Sequence, residues 1–364
     1  MSAAQFSIRY LALAPADPGS WRPLLNRVVA ADRAGVDRVV LSGEHVVFGE
    51  HMDDYARPEI GGRAGGGQPT GPDGHFLEPM TTMSFLAGMT SRVRLTNSIL
   101  LAALRRPIVL AKSAATLDVL SGGRLDLGVG IGWQREEYEA AGLEFSRRGR
   151  LLDHTLEVCQ LLWREPRASY HSPELSFENI HLNPKPVQPG GVPIWVSGTV
   201  NPGAMRRLAR FGAGWIPWGP ASDRAADLVE TIPRMRDAVA ALGRDPLELG
   251  IAGKLANVPG RDGTPDPGAT LDGLPALLAA GVTDVRLQLP VPDDTSAAEA
   301  YLTLWVSRFQ EMTGDGGAED RGGLAATALA GTRAQGAVVR DTTVRDTTAR
   351  DTTARDTAVR AGLG

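Results

Sequence analysis

The chain is 364 residues long, 43% of them apolar and 22% charged, with a formal net charge of −4. A chain of this length buries roughly three-quarters of its unfolded surface and needs neither disulfides nor a structural metal to hold a core. Its single cysteine, Cys159, has no partner and no ligand neighbour, which excludes a disulfide scaffold and a zinc module and favours a reducing, cytoplasmic compartment. No basic stripe interleaved with aromatics speaks for nucleic acid, and no apolar run approaches the ~20 residues of a membrane span. The apolar stretch 10–16 reads as a strand leading into a helix rather than as a signal peptide.

Short apolar runs alternate with amphipathic stretches along the chain. A strand over 6–14 is followed by a helix over 21–35, with Ser20 as N-cap and Gly35 as stop. Strand 37–45, helix 78–90 and strand 93–101 come next, then helix 107–120 with Pro107 in its first turn and Gly122–Gly123 ending it. Strand 124–133 leads to a long helix, 148–163, and a Pro-rich excursion precedes strand 193–198. Helix 202–211, capped by Asn201, strand 214–218, helix 223–242, strand 249–257, helix 271–280, strand 284–289 and helix 297–312 complete the order. Eight such pairs, with strands read as apolar on both faces, predict an α/β chain whose residues 1–313 form a (β/α)8 TIM barrel with insertion loops. An open doubly wound sheet is the alternative, but 13–20 lacks the glycine-rich turn that would open one. Over 314–364 aromatic residues vanish and a unit Arg-Asp-Thr-Thr-Ala/Val recurs from Arg340. A period of five matches neither helix nor strand, so a disordered low-complexity tail is expected.

Barrel chemistry collects at the carboxyl-terminal strand ends. The second strand closes on Glu44-His45, an imidazole beside a carboxylate and so a candidate for proton transfer, with a hydrogen-bonded structural histidine as the equal alternative. The excursions 49–76, rich in glycine and read as a lid, and 165–192 carry His51, His75, His171 and His181. Their spacing fits no metal motif, and all four are expected at the surface. Gly128, Gly130 and Gly132 alternate within a strand, too irregularly for a dinucleotide fingerprint; absent side chains there predict a floor against which a planar ligand lies. The segment Ser197-Gly198-Thr199 precedes the Asn201-capped helix, whose N-terminus suits a phosphate, although capping explains it equally well. Arg147, Arg148 and Arg150 are either a solvated helix start or an anion site.

Three segments in combination carry a family resemblance. They are Gly35-Val-Asp-Arg-Val-Val-Leu-Ser-Gly-Glu44-His45, the run from Arg105 through Asp118 to Gly128-Val-Gly130-Ile-Gly132-Trp133, and the later Asn183-Pro-Lys185-Pro-Val-Gln188 with Pro193-Ile-Trp195-Val-Ser-Gly198. Together they resemble the luciferase-like flavin-dependent oxidoreductases over roughly 6–312. The resemblance implies the barrel, His45 beside a reactive flavin ring with Glu44 tuning or orienting it, and the backbone of Ser98 and Ile99 against the ring, joined by a cis peptide. It implies further that Gly130, Ile131 and Gly132 lie along the cofactor and that Ser197, Gly198 and Thr199 hold its phosphate. FMN luciferases carry an arginine where this chain has Ile131, and the subgroup it most resembles uses the deazaflavin F420. An F420-dependent hydride transfer to or from a small organic substrate is therefore expected, in a dimer served by a separate cofactor-reducing enzyme. An FMNH2-dependent monooxygenase using O2 and a non-catalytic flavin-binding scaffold are the alternatives. Trp133, Trp215, Trp218 and Phe76 are expected to line the substrate.

Overall fold

The computed structural model describes residues 4–219 and 224–314. Its eight parallel strands follow one another around a closed barrel: β1 (Gln5–Leu11), β2 (Arg38–Ser42), β3 (Arg94–Ser98), β4 (Leu125–Val129), β5 (Ile194–Gly198), β6 (Gly214–Pro217), β7 (Gly250–Lys254) and β8 (Asp284–Leu287). Closure comes from β8 pairing with β1, Phe6 opposite Val285. The helices are α1 (Arg22–Ala34), α2 (Pro79–Met89), α3 (Pro107–Leu120), α4 (Arg135–Ala140), α5 (Arg148–Arg164), α6 (Pro202–Phe211), α7 (Ala225–Ala240), α8 (Pro267–Leu271), α9 (Leu274–Ala280) and α10 (Thr295–Thr313). The (β/α)8 architecture expected from the sequence is the one found.

The strands are not apolar on both faces, which corrects the sequence reading. A strand turns successive side chains to opposite sides, and β1 sends Phe6, Ile8 and Tyr10 into the core shared with the helices. Ser7 and Arg9 face the axis instead, where Ser7 reaches Asp284 and Arg9 Nε donates to Ser42 Oγ at 2.5 Å. The barrel floor is ionic. Arg38 pairs with Asp126 at 2.9 Å and Asp284 at 3.0 Å, Arg286 with Asp284 at 2.7 Å, and Arg94 with Asp126 at 2.6 Å. Burial alone would raise Asp126 and Asp284, but the facing guanidiniums hold both carboxyls below their ordinary range. The Trp195 ring lies over this floor, 4.8 Å from the Arg38 guanidinium, and with Ile216, Ala252 and Ile99 forms a second, interior apolar cluster.

Helix ends follow local chemistry. Asn201 caps α6 by accepting from Ala204 N at 3.0 Å, Pro107 opens α3, and Gly35 ends α1 at φ 84°. At α1 the N-cap is Trp21 rather than Ser20, whose Oγ accepts from Arg22 N at 3.1 Å. The predicted strand 6–14 breaks after Leu11, and Leu13–Ala14 pairs with His75–Phe76. The predicted helix 271–280 is α8 and α9, parted at Asp272-Gly273. The sequence reading also missed α4, the hairpin Ala168–His171 with Ser176–Ile180 inside the excursion 165–192, and the short strand His75–Phe76 with the turns at Met52–Ala56 and Pro58–Ile60 inside the excursion 49–76. The expected tail with its five-residue repeat lies outside the described residues. Among the described residues no helix is long and apolar enough to cross a membrane.

Candidate active site at the barrel mouth

β2 ends at Ser42, in register with Ser98 of β3, and His45 follows three residues later. The His45 side chain is 8% exposed, enclosed by Phe48, Phe76 and Trp133 with ring centroids at 4.2, 5.2 and 5.7 Å. Its Nδ1 lies 3.2 Å from Oε2 of the fully buried Glu137 side chain, whose Oε1 accepts from Val46 N at 2.8 Å. Glu137 thereby fixes the ring and leaves Nε2 as the nitrogen able to exchange a proton with a ligand. Glu44, expected to orient His45, points elsewhere. Its Oε2 accepts from Leu101 N and its Oε1 pairs with Arg105 at 2.6 Å, anchoring the β3–α3 connection. Burial pushes its carboxyl up to about 7, against the pull of Arg105. Sequence reasoning missed Glu137 because it missed α4; the available signal was Glu136-Glu137-Tyr138, where a helix buries Tyr138 and so carries its neighbour inward.

A cis peptide joins Ser98 to Ile99, as the resemblance implied. The strand-four glycines serve this turn, which corrects their reading as a ligand floor. A Cβ on Gly128 would overlap the Asn97 carbonyl oxygen; on Gly130 it would stand 2.5 Å from Ile99 Cδ1, and on Gly132 2.7 Å from Leu101 Cδ2. The volume is filled by the chain itself. Ile131 is half-buried against the core, and its carbonyl accepts from Tyr138 Oη at 2.7 Å.

At the end of β5, Ser197 and Gly198 are half-buried and Thr199 is exposed, next to the N-terminus of α6. The Gly198 carbonyl accepts from Trp215 Nε1 at 2.9 Å, and Asn201 Nδ2 donates to Thr199 Oγ1 at 2.9 Å. Trp215 itself is 1% exposed in the helix-side core, because the β6 alternation sends Gly214 and Ile216 inward. It cannot line a substrate. The arginine cluster is engaged within the chain. Arg147 and Arg150 share Glu174, and Arg148 stacks 3.9 Å from the Phe145 ring centre while donating to Ile60 O at 3.0 Å.

A cavity of about 500 Å³ opens at the barrel mouth, bounded by Arg9, Ser98, Ile216, Trp218, Lys254 and Arg286 among others. Tyr55 links it to the histidine enclosure, with ring centroids 5.4 Å from Trp133 and 6.4 Å from Trp218. Tyr55 comes from the glycine-rich excursion, which is seated by short turns at Met52–Ala56 and Pro58–Ile60 and by contacts of His51 with Glu136 and of Arg148 with Ile60. An adjoining hollow of about 450 Å³ around Pro259 and Pro290 has no titratable lining residue. His51, His75, His171 and His181 are all exposed, and among the described residues no group of His, Cys, Asp or Glu is placed to hold a metal ion.

The uncharacterized protein Rv0953c of Mycobacterium tuberculosis is 34% identical over 232 residues, 63% of this chain and 75% of that protein. Among solved structures, an F420-dependent secondary alcohol dehydrogenase holding an F420–acetone adduct superposes with a TM-score of 0.63 at 16% identity, over 84% of this chain and 99% of its own. The riboflavin lyase RcaE, solved with modified FMN and riboflavin, gives 0.64 at 16% identity, over 86% and 92%. These two likenesses establish the fold. Residues 6–262 match the family described as luciferase-like monooxygenase, and the chain belongs to that family.

Proposed function

We propose that this chain is an oxidoreductase that takes the deazaflavin F420 at the barrel mouth and exchanges a hydride with a small organic substrate, with His45 moving the proton. The observation that carries the reading is the enclosed His45–Glu137 pair, joined to the mouth cavity through the rings of Trp133, Tyr55 and Trp218. When bound, F420 supplies the two electrons as hydride, and the protein supplies orientation and the proton. Glu137 holds the imidazole through Nδ1 and leaves Nε2 as the nitrogen that exchanges the proton. Phe48, Phe76 and Trp133 enclose the imidazole, which strengthens its electrostatic coupling to a bound molecule. Glu44 keeps the turn after β3 in place through Leu101 and Arg105.

The donor set fits a phosphorylated flavin-like group. Ser197, Gly198 and Thr199 offer small side chains and backbone beside a helix N-terminus, which favours a phosphate. An F420 enzyme and an FMN enzyme share this fold to the same degree, so the choice of F420 rests on the resemblance, in which FMN luciferases carry an arginine where this chain has the half-buried, apolar Ile131. The reduced cofactor comes from a separate enzyme. The second reading, an FMNH2-dependent monooxygenase using O2, is favoured by the family name and by the water-excluding enclosure. Turnover assays with F420 and small organic alcohols or activated alkenes, run beside reduced FMN with O2, test the choice. Activity with F420 alone supports the proposal, activity with FMN and O2 alone supports the alternative, and binding without turnover in either supports a flavin-binding scaffold.

A further inference from the structure

The glycines of the excursion 49–76 are arranged around one side chain that the His45–Glu137 pair does not use. Residues 55–66 close on themselves: Arg63 N donates to Tyr55 O at 2.7 Å, Gly62 N to Arg57 O at 3.0 Å and Gly66 N to Arg63 O at 2.8 Å. A Cβ on Gly62 would stand 2.2 Å from the Tyr55 carbonyl oxygen, and one on Gly66 3.0 Å from Tyr55 Cε1. Gly61, at φ 100°, lies against the barrel, where a Cβ would come 2.9 Å from the Gly132 carbonyl oxygen. Side chains at these three positions would push the loop off Tyr55 or off the segment after β4, so the glycines hold the tyrosine at the mouth. Held there, its ring meets edge-on both Trp133, which His45 also meets edge-on, and Trp218 of the cavity wall. Its hydroxyl lies within electrostatic range of Arg9, a second residue of that wall. Burial raises the phenol above its ordinary range, against the pull of Arg63 and Arg9, so at neutral pH it keeps its proton and acts as a donor. Tyr55 is half-buried, and among the described residues no hydrogen bond engages its hydroxyl.

We propose that Tyr55 is a second catalytic residue, its hydroxyl donating a hydrogen bond to a carbonyl oxygen of a substrate lying against Trp218 in the mouth cavity. This deepens the oxidoreductase reading and rests on the mouth being its active site. The substrate is then an aldehyde or ketone, or the matching alcohol in the reverse direction. When the carbonyl carbon gains the hydride supplied by the reduced deazaflavin, the π pair of the C=O bond passes to the oxygen. Tyr55 stabilises that charge while keeping its own proton, and the proton from His45 Nε2 completes the alcohol. Hydrogen bonds to a charged oxygen are roughly twice as strong as those to a neutral one, so the donor favours the reacting state over the bound ground state. Specificity follows from the same group, because a substrate without this oxygen leaves the hydroxyl with nothing to donate to.

Infrared difference spectroscopy on the full chain without cofactor tests this, with acetophenone carrying heavy carbon at its carbonyl as the probe and its affinity read from quenching of tryptophan fluorescence. Saturable binding of one acetophenone per chain is expected, its carbonyl band displaced to lower frequency than in a hydrocarbon solvent because the oxygen accepts a hydrogen bond. Tyr55→Phe keeps the ring against Trp133 and Trp218 and removes only the donor. In that variant the band should return toward its hydrocarbon position while affinity falls by about tenfold or less, the worth of one neutral hydrogen bond. A band that stays at low frequency in Tyr55→Phe would assign the contact to Arg9 and overturn the proposal. An undisplaced band in the wild type, or no saturable binding of the probe, overturns it as well. Since the probe needs no cofactor, failure of F420 to bind would remove the cofactor reading and leave Tyr55 as the carbonyl contact, whereas F420 turnover beside an undisplaced band would keep that reading and remove Tyr55 from it.

Discussion

His45 is held by a carboxylate 92 residues away in sequence, and the adjacent Glu44 turns from it to Leu101 and Arg105. The histidine was legible because a strand end in a barrel is where chemistry collects, whereas its partner was not, because only the packing of α4 brings Glu137 across. His45→Ala should lower turnover by roughly 10² to 10⁴, the usual contribution of a positioned acid or base, with little loss of cofactor affinity. Glu137→Gln should lower it less, and the double substitution should do no more harm than His45→Ala alone, since both act through one ring. Additive losses would separate Glu137 from the imidazole. Glu44 gives a pH prediction. Its carboxyl is raised by burial from 4.5 to about 7, so between those values the folded chain binds more protons than the unfolded one. The stability contributed by that proton is complete below the lower value and is lost as pH rises through the upper one. Denaturant midpoints of the wild type should fall over this window, and Glu44→Gln should flatten the fall.

Element boundaries written in local chemistry were readable, as at the Asn201 cap, Pro107 and Gly35. Short elements were not. α4 has six residues and the hairpin strands four and five, too few for a periodic signal, and each is stabilised by what it packs against. The β4 glycines show a different gap. Their spacing was visible, but whether the missing side chains admit a ligand or a neighbouring strand depends on the turn after β3. Gly130→Ala should cost about 1–3 kcal/mol, since the Ile99 side chain it meets can shift. Gly128→Ala should cost more, because it meets the Asn97 backbone. Chemical denaturation of both variants decides this, and equal stabilities would contradict the close approach of β3 and β4.

At the scale of the whole molecule, the count of alternating units sufficed for the barrel, while the ionic floor of Arg38, Asp126, Asp284 and Arg286 was hidden. Charged residues inside strands look like interruptions until closure brings them onto one axis. The outer surface supports the expected dimer as a proposal: Phe85 on α2 and Val109 on the neighbouring α3 are 60% and 62% exposed. Val109→Glu should convert a dimer to monomers in sedimentation without lowering the melting temperature, and an unchanged sedimentation coefficient would exclude that face.

The most direct measurement is an equilibrium fluorescence titration of the purified chain with F420 and with FMN under identical conditions. Ile131 at the end of β4 and the small residues after β5 predict saturable one-to-one binding of F420, tighter than that of FMN. FMN binding tighter by tenfold, about 1.4 kcal/mol, would contradict the deazaflavin assignment.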